Sequence, residues 1–288
     1  MVKTHLVREV EILVLSDIHL GTYGCHAKEL LKYLKTIKPK AVVLNGDIID
    51  IWQFSKKYWP KSHMKVIKKF VKYTTNDIPV YYITGNHDEL LRKFTDFSLG
   101  SFHLKNELVL TIDGKRTWFF HGDLVDVSMR YSKLLAKIGG KSYDMLVLAN
   151  RAINYLFSKK EANKIRFSQQ VKQSVKRAIK FISDYERISV EIAAAKNYDS
   201  VICGHIHEPK IQEYEVNEKD IHYLNSGDWI ESLTSLEYYD GQWHLYRYNQ
   251  DPIIRSVMEE ETEDSEMSME TTEELAYFMK MQEMVFAK

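Results

Sequence analysis

The chain has 288 residues, of which 44% are hydrophobic and 12% aromatic. This length suits one large domain or a domain with a sizeable insertion, and the apolar content excludes a wholly disordered chain. Forty basic residues balance forty acidic ones, so the net charge favours neither nucleic acid nor a membrane as the partner.

Cysteine content and the N-terminal segment indicate in which cellular compartment the protein is expected. Cys25 and Cys203 are the two cysteines and have no paired spacing, which is typical of a protein in a reducing environment. No uninterrupted apolar stretch approaches the roughly 18 residues that a spanning helix needs. Arg8, Glu9 and Glu11 stand where a signal peptide would be apolar, so we expect a soluble, cytoplasmic protein whose chain starts with a strand.

Apolar, β-prone runs alternate with segments of helical periodicity over the first part of the chain. This alternation predicts βαβ units around a mostly parallel sheet. We expect strands at 10–16, 41–47 and 79–84, and helices at 28–37 and 62–74, the first of them ending before Pro39. Two further strands joined at Asp113 and Gly114 are expected within 108–123.

The strand-forming pattern stops near the middle of the chain and resumes later. Residues 128–197 have little strand signal and no proline, which predicts a helical insertion that interrupts a core made of 1–127 and 198–250. Four strand-like runs at 211–216, 221–229, 232–240 and 242–249 are expected to complete a second, mixed or antiparallel sheet. Residues 251–288 form an acidic tail that ends in a predicted amphipathic helix.

Five polar clusters stand at or just beyond predicted strand ends, where open α/β sheets bind their ligands. They read SDIHLG, NGDIID, GNHD, FFHGD and CGHIHEP. Carboxylate, amide and imidazole groups without thiolates suit Mn²⁺, Fe²⁺ or Zn²⁺, and seven ligands exceed what one catalytic ion uses. The candidate ligands are Asp17, His19, Asp47, Asn86, His121, His205 and His207.

The order and spacing of these clusters resemble the five signature motifs of the calcineurin-like metallophosphoesterases. The matching residues are Asp17-x-His19, Gly46-Asp47-x-x-Asp50, Gly85-Asn86-His87-Asp88, His121-Gly122 and Gly204-His205-x-His207. The resemblance covers roughly residues 10 to 250, with the insertion between its two parts. It implies a four-layer α/β/β/α sandwich of the α/β class, with a dinuclear metal centre between the sheets.

Carried over position by position, the resemblance implies a role for each residue. One ion would take Asp17, His19 and His207, the other would take Asn86, His121 and His205, and Asp47 would bridge them. His87 would face the substrate as the catalytic imidazole, and Asp50 would hold that ring in orientation. The alternative is that Asn86 and His87 only complete a tight turn. Manganese is the favoured metal, with iron or zinc as alternatives.

The sequence segments around the motifs, and the insertion, are similar to one branch of this family, the UDP-2,3-diacylglucosamine hydrolases of lipid A biosynthesis. These segments are NGDIIDIW, HGD and YLNSGDWIES. That branch implies a phosphorylated lipid substrate whose pyrophosphate is hydrolysed, and an insertion that acts as a lid for acyl chains. Lys172 and Lys176 are the candidate contacts to phosphate, against the alternative that they lie on a solvated face. In that branch the third motif reads Gly-Asn-Arg-Asp, whereas this chain carries His87.

Two other functions compete with this hypothesis. A different metallophosphoesterase would hydrolyse a nucleotide, a phosphomonoester, a phosphodiester or a nucleic acid with the same centre. A catalytically silent scaffold would keep the fold for binding alone, although such proteins normally lose metal ligands. We expect no nucleic acid and no stable protein partner. Peripheral contact of the insertion with the inner face of a membrane is the alternative to a purely cytoplasmic location.

Overall fold

A computed structural model describes residues 7–51, 58–125 and 167–254, with the side chains of 167–179 not described. The strands are β1 (Arg8–Leu15), β2 (Ile37–Asn45), β3 (Val80–Ile83), β4 (Ser98–Leu99), β5 (Phe102–Lys105), β6 (Glu107–Ile112), β7 (Lys115–Phe120), β8 (Ser200–Cys203), β9 (Lys210–Val216), β10 (Lys219–Asn225), β11 (Thr234–Tyr239) and β12 (Gln242–Arg247). The helices are α1 (Ala27–Tyr33), α2 (Lys61–Thr75) and α3 (Phe167–Ala195), with short 3₁₀ helices at Glu89–Phe94 and Tyr248–Gln250.

These strands form two sheets. The first has seven strands in the order β12-β11-β1-β2-β3-β5-β4, and the second has five in the order β6-β7-β8-β10-β9. Strands β1, β2, β3 and β5 run parallel to their neighbours in that series. Strands β7, β8 and β10 are also parallel, whereas β6 and β9 are antiparallel edge strands. The second sheet is therefore mixed, as predicted.

The sheets pack face to face between two layers of helix. One buried cluster joins Val14, Val43, Ile83 and Leu236 of the first sheet to Phe119, Ile202 and Leu224 of the second. The outer face of the second sheet packs on α3, whose Tyr185 and Val190 lie in a cluster with Trp118 and Tyr223. On the outer face of the first sheet, Leu44 lies near Ile67 and Phe70 of α2. The four-layer α/β/β/α sandwich is confirmed.

The predicted boundary between α1 and the second strand was wrong. Helix α1 ends at Tyr33, and β2 begins at Ile37, so Pro39 lies inside the strand opposite Val10 rather than after a helix. Ile37 and Pro39 are buried, whereas Lys38 between them is exposed. This alternation has the two-residue period of a strand. Pro39 is tolerated because it lies near the start of the strand.

The predicted partners of the last two strands were also wrong. Strands β11 and β12 extend the first sheet beyond β1 instead of completing the second sheet, and β11 pairs antiparallel with β1 through Val14 and Leu236. Five of the six residues of β11 are buried, the polar Thr234, Ser235 and Glu237 among them, so its polarity pattern does not show which sheet it joins. The β4–β5 hairpin at the opposite edge was not predicted.

Two predicted segments lie wholly or partly outside the described residues. The terminal amphipathic helix within 251–288 is one of them, and most of the lid at 128–197 is the other, so the limits of both stay predictions. Helix α3 belongs to the predicted insertion and is helical as expected. Residues 249–254 are the described part of a second unit, in which Asp251 Oδ1 accepts a hydrogen bond from Ile253 N at 2.8 Å. No helix in the described part of the chain is long and apolar enough to cross a membrane.

Candidate metal centre

The polar clusters lie at one end of both sheets. Asp17 and His19 follow β1, Asp47 follows β2, and Asn86 follows β3, while His121 follows β7 and His205 and His207 follow β8. Because the first three strands are mutually parallel, as are β7 and β8, their carboxyl ends meet at the same edge. Three groups have ligand atoms within 4.8 Å of one another: Asp17, His19 and His207; Asp47, His121 and His205; and His19, Asp50 and His87.

Backbone conformation turns these side chains inward. Asp17, His19, Asp47, His205 and His207 all have positive φ angles, between 50° and 70°. Such values are uncommon for residues other than glycine, and they persist where the surrounding structure holds them, which is frequent at functional sites. The loops after β1 and β2 brace each other, because His19 N donates to Asp47 O at 2.9 Å and Asp17 N donates to Gly46 O at 3.1 Å.

Asp17 organises the first group. Its carboxylate is fully buried, with Oδ1 3.2 Å from His207 Nε2 and Oδ2 accepting a hydrogen bond from His205 N at 3.0 Å. Burial alone would raise the pKa of Asp17, but His121 and His207 outweigh it and the pKa is lowered. Asp17 is therefore held as a carboxylate, the form that binds a cation.

Asp47 lies between the first and second groups. Its Oδ2 is 3.2 Å from His121 Nε2 and 3.9 Å from His19 Nε2, and its Oδ1 accepts a hydrogen bond from His87 N at 2.8 Å. Burial acts to raise the pKa of Asp47, but the neighbouring imidazoles, His121 first, lower it below its ordinary value. One carboxylate thus faces a histidine from each group, as a bridging ligand would.

His121 has a defined orientation and tautomer in its neutral form. Its Nδ1 lies 2.9 Å from the carbonyl oxygen of Asn45, which can only accept, so Nδ1 carries the proton. The Nε2 lone pair of the neutral ring then points toward Asp47. A backbone carbonyl on the other ring nitrogen is the usual second contact of a metal-binding histidine.

Two glycines leave room for the carboxylates. A Cβ on Gly85 would lie 2.2 Å from Asp47 Oδ1, and a Cβ on Gly204 would lie 2.4 Å from Asp17 Oδ2. Both distances are far below van der Waals contact, so any larger residue would displace the carboxylate. Asn86 follows Gly85 on this turn and precedes His87, whose backbone binds Asp47. The backbone of Asn86 therefore lies next to the loop that carries Asp47.

The donor set fits divalent cations. Asp17 Oδ1, His19 Nε2 and His121 Nε2 are buried and have no hydrogen-bond partner among the described residues, although each lies close to another candidate ligand. Buried polar atoms are normally hydrogen-bonded, and a group of them that converges is explained by a bound ion. Carboxylate and imidazole without thiolate suit Mn²⁺, Fe²⁺ or Zn²⁺.

His87 lies beside this centre with one edge in solvent. Its side chain is 30% exposed, and its ring packs edge-on against that of His19 at 4.6 Å between centroids. Its Nδ1 is 2.9 Å from Asp50 Oδ2, and the same oxygen is 3.3 Å from His19 Nδ1. Asp50 is fully buried, so it contacts both rings from behind.

Two supporting residues were not singled out by the sequence. Asp88 is buried and accepts hydrogen bonds from Tyr82 Oη at 2.7 Å and Ile48 N at 3.1 Å, which ties the second and third motifs together. Burial and the nearby Asp47 raise the pKa of Asp88 to about 6. Asp88 belongs to the third motif, and this position in the sequence could have indicated its supporting role.

Tyr185 is the second supporting residue, and the sequence around it does not indicate a role in the site. This residue of α3 is fully buried, its hydroxyl donates to Gly204 O at 3.4 Å, and its ring lies 6.3 Å from that of His205. It is one of three aromatic residues on a helix of 29 residues, and only the packing brings it to the centre. Lys172 and Lys176, the predicted phosphate contacts, have side chains outside the described residues.

The chain is similar to a known protein family and to named enzymes. Residues 10–209 match the model of the calcineurin-like phosphoesterase family. The UDP-2,3-diacylglucosamine hydrolase of Aliivibrio fischeri (strain MJ11) is 26% identical over 244 residues, covering 82% of this chain and 98% of that protein. The enzyme of the same name from Vibrio cholerae serotype O1 (strain El Tor Inaba N16961) is 27% identical over 233 residues, covering 78% and 93%.

Two solved structures were also matched. One is Yfce, a phosphoesterase from E. coli, with 13% identity, a TM-score of 0.42 and coverage of 83% of this chain and 93% of that one. The other is the hypothetical protein PH1004 from Pyrococcus horikoshii OT3, with 13% identity, a TM-score of 0.42 and coverage of 88% and 94%. Since the family match spans more than half of the chain, this protein is a member of the calcineurin-like phosphoesterase family and a metal-dependent hydrolase.

Proposed function

We propose that this enzyme uses two divalent ions to hydrolyse the pyrophosphate of a lipid-linked nucleotide of the UDP-2,3-diacylglucosamine type. The observation that carries the two-ion part is the position of Asp47, which faces His19 of one ligand group and His121 of the other. The substrate class is supported by relatives with that name that match almost over their whole length. On this proposal the enzyme acts in lipid A biosynthesis in the cytoplasm.

The proposed ligand assignment follows the family pattern, and the groups Asp17, His19 and His207 and Asp47, His121 and His205 support it. Asp17, His19 and His207 would hold one ion, and Asn86, His121 and His205 would hold the other, with Asp47 shared. Manganese is the proposed metal, and iron or zinc also suit this set. When bound, two such ions clamp the phosphoryl group and stabilise the charge of an in-line displacement.

The protein itself supplies orientation and a proton donor. His87 presents a partly exposed imidazole whose Nδ1 is held by Asp50, which leaves Nε2 to meet the substrate. A protonated ring there would stabilise charge on the phosphoryl oxygens or protonate the leaving group. Lys172 and Lys176 are the proposed contacts to the remaining phosphate charge.

Product analysis tests the substrate. Protein stripped of metal and reloaded with Mn²⁺, Co²⁺ or Zn²⁺ is incubated with UDP-2,3-diacylglucosamine, and we expect UMP and a lipid monophosphate. The matched control is Asp47→Asn, which removes the shared charge and should release no UMP. Absence of UMP with all three metals would refute the proposed substrate.

Model phosphoesters distinguish the alternatives. Hydrolysis of p-nitrophenyl phosphate, of its bis-ester or of single-stranded DNA without UMP release would assign a different phosphoesterase activity. His87 is the residue that favours this second candidate, because the lipid A hydrolases of this family carry arginine at that position. Protein that takes up no metal and cleaves none of these compounds would be a binding scaffold.

A further inference from the structure

An apolar groove of about 740 Å³ lies between α2, the 3₁₀ helix and the β4–β5 hairpin. Its walls include Leu99, Phe94, Val71 and Phe97, which are 70%, 63%, 53% and 51% exposed. We call these four side chains and the exposed side of α2 the hairpin face. Contiguous exposed apolar surface of this kind marks contact with a protein, a ligand or a membrane.

The apolar residues are concentrated here. Among the described residues, eleven large hydrophobic side chains are exposed, and six of them belong to α2 or to the segment 90–99. Besides the four residues of the groove, these are Met64 and Leu90. Met64 and Val71 are seven positions apart and therefore share one side of α2.

The helix beside the groove carries only positive charge. Helix α2 contains five lysines and no acidic residue: Lys61, Lys65, Lys68, Lys69 and Lys72. Lys93 is also exposed, next to Phe94, and the nearby Asp96 is paired with Lys105 at 2.8 Å. Exposed aromatic and aliphatic side chains flanked by lysines suit the headgroup region of an anionic bilayer.

The hairpin face is adjacent to the metal centre. Ile48 and Ile49 line the groove and lie between Asp47 and Asp50 in the chain. Leu91 also lines it, four residues after His87. A protein held to a bilayer through this face would keep its metal-binding loops within reach of lipid-anchored molecules.

We propose that the hairpin face binds the surface of a bilayer that contains anionic lipid, with Phe94, Phe97 and Leu99 inserted and the α2 lysines against the headgroups. This concerns where the enzyme docks, and it holds whichever phosphoester is cleaved. A second copy of the chain fits the face less well, because a two-fold contact would bring the α2 lysines of both copies together. Strand β4 has only two residues, too few for pairing with a partner strand.

Vesicle sedimentation of the full chain tests the proposal. The probes are vesicles of phosphatidylcholine alone and of an equal mixture of phosphatidylcholine and phosphatidylglycerol. We expect the protein to sediment with the mixed vesicles and to be released by high salt. A variant that combines Lys65→Gln, Lys68→Gln and Lys72→Gln should have a partition coefficient that is roughly 100-fold lower. The reason is that each lysine near an anionic bilayer surface strengthens binding several-fold.

The apolar contribution is tested with a second combined variant. Phe94→Ser, Phe97→Ser and Leu99→Ser should reduce binding to mixed vesicles by more than about tenfold. Its control is Val109→Ser with Ile211→Ser, two side chains 37% and 38% exposed on the second sheet, which should bind as the parent protein does. Unchanged metal content and an unchanged circular dichroism spectrum show that each variant is folded.

Three results would overturn the proposal. The first is a parent protein that does not sediment with mixed vesicles. The second is a serine variant that sediments as well as its parent, which would place the lipid contact elsewhere in the chain. The third is a parent dimer, seen by light scattering, that the serine variant dissociates, because the face would then bind a second copy.

Discussion

Oδ2 of Asp50 lies 2.9 Å from Nδ1 of His87 and 3.3 Å from Nδ1 of His19. One buried carboxylate thus contacts a candidate metal ligand and the candidate catalytic imidazole. In both rings the contact is made through Nδ1, so each Nε2 atom lies on the side of its ring away from Asp50. Asp50 therefore connects the metal centre to the position where substrate would be protonated.

Replacement of His87 by alanine should separate catalysis from metal binding. Because His87 lies beside the ligand groups rather than between them, His87→Ala should keep its metal content and lose about 10²- to 10⁴-fold in kcat, the usual contribution of a general acid. Elemental analysis and steady-state kinetics measure the two effects. His103→Ala, which removes a ring stacked on Tyr81, is the control and should have normal turnover. Normal turnover of His87→Ala would contradict the role.

Asp50→Asn should act through His87. The amide keeps the size of the side chain but removes its charge, and we expect a loss of about 10- to 100-fold in kcat with a small change in KM. If Asp50 mainly orients His87, adding Asp50→Asn to His87→Ala should cost much less than it does alone. Fully additive losses in this double-mutant cycle would mean that the two residues act independently.

Gly204→Ala should abolish metal binding at the Asp17 group. The added methyl would lie 2.4 Å from Asp17 Oδ2 and 2.6 Å from Ser16 Oγ, so Asp17 must move. Gly24→Ala is a matched control, because its methyl meets a single side-chain atom, Ile230 Cγ2, at 3.2 Å. Metal titration of both variants gives the comparison, and equal affinities would show that Asp17 is not a ligand.

Glu237→Ala should destabilise the first sheet. Glu237 Oε1 accepts hydrogen bonds from Tyr33 Oη at 2.7 Å and Arg8 Nη2 at 3.0 Å. Its removal therefore takes one acceptor from a buried hydroxyl and one from a partly buried guanidinium. We expect a loss of about 2 kcal/mol, less than for a fully buried pair because Arg8 is partly screened by solvent. Urea unfolding measures it, with exposed Glu213→Ala as the control. An unchanged midpoint would argue against this packing of β11.

The sequence predicted the order of strands and helices through the first half of the core. Apolar runs ending at Asp17, Asp47 and Asn86 were recognisable because a buried strand needs continuous apolar residues, and a polar side chain ends it. The parallel arrangement then followed from the alternation with helices. This is why the candidate ligands could be named before their distances were known.

Other features depended on contacts between distant segments. Residues on both faces of β11 are buried, including the polar Thr234, Ser235 and Glu237, so its sequence did not distinguish pairing with β1 from pairing with β10. The contact of Tyr185 with Gly204 and the hairpin face beside the metal-binding loops were likewise invisible. Local periodicity reports that a side chain is buried or exposed, whereas its partner across the core is set by how the sheets and helices pack together. The sequence by itself therefore determined the candidate ligands and the kind of cation that they suit, and the tertiary structure decided which of them lie together near Asp47 and which surface lies beside them.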